Sequence, residues 1–237
     1  MLANNKNYSD QFLLNPSPEL SDIKYKRHIF EPHVFIKQEG DVADSIFFVE
    51  SGFLTMSKTT CDGRRQIINF VFPGEYCGIS KRKKYIYDIE CLSFSSLRIM
   101  SRHDFESSVG SNIRMIKEIY DQMIIWSDGM DELIFLLGTK TSEAKTASFL
   151  VFLHIRQQRY FTDPSYKEIP LSRTDIGDFL GLRVETVSRT LSKFKKSNLI
   201  EIIENNRIKI LNFKPLVKIA DIENRWKQWD QKHTHHS

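Results

Sequence analysis

"LSRTDIGDFLGLRVETVSRTLSKF", residues 171–194, reads as two short helices joined by a tight turn. Ser172 precedes an amphipathic run, where a hydroxyl can cap the first free N–H groups. Gly181 closes that run, because glycine accepts the left-handed backbone that ends a helix. A second helix starts at Arg183 and reaches about Ser197. Its Val184, Val187, Leu191 and Phe194 recur at helical spacing and form one apolar side. Glu185, Ser188 and Arg189, at i, i+3 and i+4, share another face in the first two turns. Immediately downstream, "LIEIIENNRIKIL" carries two β-branched runs around Glu204-Asn205-Asn206. Asparagine tolerates the positive φ of a tight turn, so this segment predicts a hairpin. Two helices and a hairpin make a winged helix-turn-helix, whose second helix enters the major groove of DNA by its N-terminal end.

The exposed face suits that role. An arginine can donate two hydrogen bonds to guanine, a glutamate can accept from the cytosine amino group, and a serine can serve either way. Glu185, Ser188 and Arg189 are therefore the candidate base-reading residues. Residues 183–198 carry five cations (Arg183, Arg189, Lys193, Lys195 and Lys196) against Glu185 alone, a local +4 equal to the net charge of the chain. Phosphates favour such a surface. The candidate phosphate contacts are Arg173, Thr174, Arg183, Thr186, Lys193, Lys195 and Lys196. Two other readings of the triplet compete. Glu185 and Arg189 could form an exposed i,i+4 pair worth a few tenths of a kcal/mol. A catalytic constellation would need a histidine base or a second carboxylate, and neither is present.

Upstream, turn signals recur at Gly40-Asp41, Ser51-Gly52, Asp62-Gly63 and Pro73-Gly74. The strand-like runs "HVFIKQ", "SIFFVE", "FLTMSK" and "RQIINFVF" lie between them, and a further pair follows in "YIYDIECLS" and "SSLRIMS". Short strands at even spacing with glycine turns predict an antiparallel sandwich or barrel. At Arg102 the apolar period lengthens. Ile113, Ile116, Tyr120, Met123, Ser127, Met130, Ile134 and Leu137 alternate spacings of 3 and 4, a strict seam in which only Ser127 is polar. A narrow seam of this kind favours pairing with a second copy over simple core packing. The expected layout is an arm over 1–22, a β domain over 23–102, a dimerisation helix over 103–138 ending at Gly138, a DNA-binding domain over 139–213, and a helix and polar tail over 214–237. Thr141 or Ser142 is expected to cap the helix after Gly138.

The remaining signals narrow the class. The 237 residues are 41% hydrophobic, enough for one large or two modest cores. Cys61, Cys77 and Cys91 are widely spaced, without a CxxC or a zinc-like Cys/His cluster, which fits free thiols in a reducing compartment. The N-terminal sequence lacks the pattern of a signal peptide, and no apolar run is long enough to span a membrane, so a cytoplasmic location is expected. No metal site, cofactor or enzymatic activity is expected. Cys77 and Cys91 are retained as possible redox residues beside the simpler reading of buried thiols. The basic run Lys81–Lys84 reads as a solvated loop, or as a contact for an anion or a DNA flank. His233, His235 and His236 read as part of a polar tail.

Residues 171–201 closely resemble the DNA-binding region of the Crp/Fnr family of bacterial transcription regulators. The face from Glu185 to Arg189 is similar to the Fnr/FixK subgroup rather than to the cyclic-AMP receptor. "ELIFLLGTKTSEAKTASFL" resembles the end of that subgroup's dimer helix, and "PGEYCG" resembles the signature loop of its sensory domain. The resemblance implies an α+β chain: an N-terminal cyclic-nucleotide-binding-type β-roll of jelly-roll form, a long dimer helix and a C-terminal winged helix. It implies a homodimer that binds promoter DNA at an inverted repeat with TTGAT-like half-sites, with RNA polymerase as a further partner. Two departures are informative. No cysteine precedes Cys61, so the clustered cysteines of an iron–sulfur site are missing. Members that bind cyclic AMP carry an Arg-Ser or Arg-Thr pair beyond the loop glutamate, and Tyr85-Ile86 stands there instead. The expectation is a FixK-like regulator independent of cyclic AMP. The rival is a cyclic-nucleotide or other small-ligand sensor acting through protein partners.

Overall fold

The computed structural model describes residues 24–160, 169–203 and 207–222. The elements run β1 (Tyr25–Phe30), β2 (Phe35–Lys37), β3 (Ser45–Ser51), β4 (Leu54–Thr59), β5 (Arg65–Val71), β6 (Tyr76–Cys77), β7 (Asp88–Cys91), β8 (Ser95–Ser101), α1 (Arg102–Ser111), α2 (Ile113–Thr139), α3 (Ser142–Tyr160), β9 (Ile169–Pro170), α4 (Arg173–Leu180), α5 (Val184–Lys196), β10 (Ile200–Ile203), β11 (Arg207–Ile210) and α6 (Phe213–Ala220). The chain divides into two compact units, Met1–Asp128 and Gly129–Ser237.

In the first unit, two four-stranded sheets have the orders β1-β8-β3-β6 and β2-β7-β4-β5, with antiparallel pairing throughout. This is a jelly-roll arrangement. Alternate residues point inward from both sheets: Phe47, Val49 and Leu97 from one, Leu54, Met56 and Ile89 from the other, all buried in one core. Tyr85, Cys77 and Cys91 belong to the same core. The turn signals of the sequence mark real turns, with Gly40, Gly52, Gly63 and Gly74 at positive φ. Two strands have no clear sequence signature. β1, "YKRHIF", is almost wholly exposed and lacks alternation because it forms a sheet edge, held by β8 alone. β6 has only two residues.

The helical region corrects the expectation of one helix over 103–138. α1 ends at Asn112, whose backbone is extended. The Asn112 side chain then starts α2 by accepting from the N–H groups of Arg114 (3.1 Å) and Met115 (3.2 Å). The helix does not end at Gly138 either; it continues to Thr139. The Thr139 hydroxyl satisfies the carbonyl of Phe135 at 2.7 Å, and the Thr141 hydroxyl accepts from Ala144 N–H (3.3 Å) to open α3. Glycine lowers helix propensity without forbidding the helix.

In the second unit, α3 contributes the buried Phe149, Leu150, Val151 and Leu153, and α6 the buried Leu216, Val217 and Ala220. The rings of Phe149 and Phe179 pack 5.0 Å apart, tying α3 to α4. β10 and β11 pair as an antiparallel hairpin, and β9 adds a third strand. The expected turn at 204–206, the N-terminal arm and the histidine-bearing tail lie outside the described residues.

Candidate nucleic-acid interface

The helix-turn-helix is built from local bonds. The Ser172 hydroxyl accepts from Asp175 N–H at 3.0 Å, while the Asp175 carboxylate accepts from Ser172 N–H at 3.1 Å, a complete capping box. Asp175 is a residue the sequence reading missed, although Ser-x-x-Asp is a recognisable pattern. Gly181 adopts the left-handed conformation (φ 62°, ψ 37°) at the end of α4. Gly177 is needed for a different reason: a Cβ there would meet the carbonyl oxygen of Leu182 at 2.7 Å, and Leu182 N–H donates to Gly177 O at 3.0 Å. The turn therefore folds directly onto α4 and sets the direction in which α5 departs.

α5 is sharply two-sided. Val187, Leu191 and Phe194 are at most 2% exposed. Val184, expected on this apolar side, is instead 39% exposed, because it opens the helix before the packed turn begins. Thr190 is buried and uses its hydroxyl internally, donating to Thr186 O at 2.9 Å. On the other side, Glu185 and Arg189 are exposed and Ser188 is half-buried. Among the described residues, none of the three side chains has a hydrogen-bond or ion-pair partner, so the i,i+4 pair between Glu185 and Arg189 is not formed.

The candidate phosphate contacts separate into two groups. Arg183 is exposed at the N-cap position of α5 and makes no side-chain cap bond. Thr174, Lys195 and Lys196 are exposed, while Arg173 and Thr186 are half-buried. Lys193 differs from the others. Its Nζ donates to the Glu143 carboxylate of α3 at 2.6 Å, so much of its charge is answered within the unit. Spacing along α5 could not reveal this, because the partner lies 50 positions away in the sequence.

Along α2, the seam residues are largely uncovered: Ile113, Ile116, Tyr120, Met123, Met130 and Ile134 are exposed and Leu137 is half-buried. The helix buries other positions instead, with Met115 packed beneath α1 and Gln122 against β6.

In the β-roll, Cys77 and Cys91 are buried. Burial, then the neighbouring Cys91 and Glu75, pushes the Cys77 thiol far up. Burial raises Cys91 to about 11 against a smaller opposing effect from the Ser95 hydroxyl. Thiolate is the reactive form, so neither thiol is poised for oxidation at neutral pH. Cys61 is the exposed cysteine. The loop glutamate Glu75 is 1% exposed and accepts from Phe72 N–H at 3.1 Å. Tyr85 is 2% exposed, and its hydroxyl donates to the carbonyl of Ser45 at 2.5 Å.

Comparison with known proteins agrees with this architecture. Residues 144–219 match the family model of the Crp-like helix-turn-helix domain, and residues 27–112 that of the cyclic nucleotide-binding domain. The nitrogen fixation regulation protein FixK of Azorhizobium caulinodans is 30% identical over 183 residues, covering 76% of this chain and 73% of the relative. This chain belongs to the Crp/Fnr family of transcription regulators. Within that family it is also similar to the transcriptional activatory protein AadR of Rhodopseudomonas palustris, with 29% identity over 208 residues and 87% of each chain covered. The structure of FixK2 from Bradyrhizobium japonicum superposes with a TM-score of 0.72 at 26% identity, covering 83% of this chain and 98% of that one. As a Crp/Fnr protein, the chain has the mixed architecture of its relatives, with an N-terminal β-roll, a long helix and a C-terminal helix-turn-helix. Among the described residues, no helix is long and apolar enough to cross a membrane.

Proposed function

We propose that this Crp/Fnr regulator is a homodimeric activator that binds promoter DNA at an inverted repeat with TTGAT-like half-sites, without needing cyclic AMP. The observation that carries the reading is the free face of α5. Glu185, Ser188 and Arg189 are presented together and unengaged, opposite the buried Val187, Leu191 and Phe194. Reading residues that pair with each other would have to break that pairing on DNA; these do not. Lys195, Lys196 and Arg183 flank them as cations for the phosphates.

The exposed stripe on α2 supports the dimer. Six large apolar side chains on one helix face are a poor solvent surface and a good seam for a second copy. An inverted repeat matches a two-fold protein, each α5 reading one half-site. Independence from cyclic AMP is supported by Tyr85, which fills core volume and donates its hydroxyl internally, where the family's nucleotide binders place a cation. Ile86 offers no side-chain donor beside it. The role as an activator follows from relatives named as activators, and implies contact with RNA polymerase in the cytoplasm. The role is recognition rather than catalysis, with no catalytic residue, metal or cofactor assigned.

A gel shift with a duplex bearing a TTGAT inverted repeat is the test, run with and without cyclic AMP and cyclic GMP. A shift that is equal in all lanes and lost on a scrambled duplex is expected. Binding only in the presence of a cyclic nucleotide would overturn the independence. Nucleotide binding with no DNA binding at all would favour a sensor acting through protein partners.

A further inference from the structure

The basic run of the β-roll remains unused by this reading. Lys81, Arg82, Lys83 and Lys84 are all exposed, yet their backbone is pinned to the roll. Ala43 N–H donates to Lys83 O (3.0 Å), and Tyr85 N–H donates to Asp41 O (2.9 Å). The run is thus a fixed rim of cations rather than a free tail. Behind it stands Arg102, the first residue of α1. Its main-chain N–H donates to Asp44 O at 2.8 Å, and its Nη1 donates to Arg82 O at 2.9 Å. These bonds hold the side chain in place.

The other edge of the guanidinium is different. Nε and Nη2 of Arg102 are both buried, and neither has a hydrogen-bond partner. Among the described residues, no carboxylate forms an ion pair with Arg102. The nearby polar group is Tyr87. Burial raises its hydroxyl to about 12 even though the charge of Arg102 acts in the opposite direction. It therefore stays protonated and can donate. A buried guanidinium with two unmet donors is costly to maintain. The Nε–Nη2 edge is also the fork that meets a carboxylate or phosphate through two parallel bonds. The fold supplies the cation, holds it and rims it with positive charge, and among the described residues no carboxylate pairs with it.

We propose that Arg102 is the centre of an anion site in the β-roll, taking the phosphate or carboxylate group of a small molecule on its Nε–Nη2 edge. The Lys81–Lys84 rim attracts the anion, and Tyr87 supplies a neutral donor. Arg102 lies at the start of α1 and not at Tyr85-Ile86, where the family's nucleotide binders carry their arginine. It gives the β-roll a ligand class of its own, independent of which DNA the protein reads.

Thermal unfolding of the full chain in inorganic phosphate or in succinate, against sodium chloride at matched ionic strength, tests the site. Saturable stabilisation of about 5 °C beyond the chloride control is expected with at least one anion; which anion acts tells phosphate from carboxylate recognition. Arg102→Met, which removes the unmet donors, should be at least as stable as the wild type in anion-free buffer and show no anion response. Arg102→Lys keeps the charge without the fork and should bind the active anion at least tenfold more weakly, which serves if Arg102→Met does not fold. The proposal is overturned if the wild type responds no more than in chloride, or if Arg102→Met or Arg102→Lys responds as the wild type does.

Discussion

The side-chain amide of Gln122 holds the backbone of Tyr76 at both of its polar atoms. Nε2 donates to Tyr76 O at 2.7 Å, and Oε1 accepts from Tyr76 N–H at 2.8 Å. A glutamine on α2 thereby completes the hydrogen bonding of the two-residue strand β6, in the loop that carries Glu75. Gln122 is only 8% exposed, so water does not readily replace it. Gln122→Leu should leave both backbone groups unmet, costing about 2 kcal/mol or more. Urea unfolding followed by tryptophan fluorescence measures this; a loss within error would mean that β6 finds other partners.

Arg189→Ala should cost about 1–3 kcal/mol on the preferred duplex and relax the choice of base at one position of each half-site. Selection from a randomised duplex pool reports the change. Unaltered base preference would show that Arg189 is not a reading residue.

Lys195 and Lys193 should behave differently although they are near neighbours. Lys195→Ala should weaken all sequences alike and flatten the dependence of log K on log salt by about 1 per half-site. Lys193→Ala should flatten it less, because Glu143 already answers that charge. Salt titrations of the two variants, read by fluorescence anisotropy, distinguish them; equal slopes would contradict the role of the Glu143 pair.

Met123→Glu and Met130→Glu each place a carboxylate in the middle of the exposed α2 stripe. In a paired seam that charge would be desolvated without a partner, so both variants should become monomeric and lose operator affinity. Light scattering settles the mass. A wild-type protein that is monomeric at micromolar concentration would count against the seam.

The buried thiols predict alkaline sensitivity. Cys91 is raised from an ordinary value of 9.0 to about 11 when folded, and Cys77 moves in the same direction. Below the ordinary value both states hold the proton, and the contribution to stability is fully present. As pH rises through the window from 9 to 11, the unfolded chain releases protons that the folded one keeps. Stability should fall there by about 1.4 kcal/mol per pH unit for each thiol. At neutral pH, a thiol reagent added to the native protein should label Cys61 alone quickly, with Cys77 and Cys91 following only on unfolding. Rapid labelling of all three would refute their burial.

What the sequence determined by itself is the part governed by neighbours a few positions apart. The spacing of Val187, Leu191 and Phe194 marked the buried side of α5, and Glu185, Ser188 and Arg189 fell on its free face because helical geometry leaves them no other place. Ser172 and Gly181 bounded α4 through bonds within one turn. The glycine turns of the β-roll were legible for the same reason. Tertiary structure alone decided the rest. β1 is a strand because β8, far along the sequence, lies beside it.

 In that register Lys26 pairs with Ile99 and Ile29 with Ser96, contacts that no local pattern announces. Asn112 divides the helical region because its side chain caps α2 rather than continuing α1. Lys193 turns to Glu143, Gln122 to Tyr76, and Tyr85 into the core with its hydroxyl on Ser45 O. Arg102 keeps one guanidinium edge buried and unmet. Each of these depends on which distant groups the fold brings within hydrogen-bond reach. Periodicity along a chain reports which face is apolar, but it carries no information about the partner that waits on the other side.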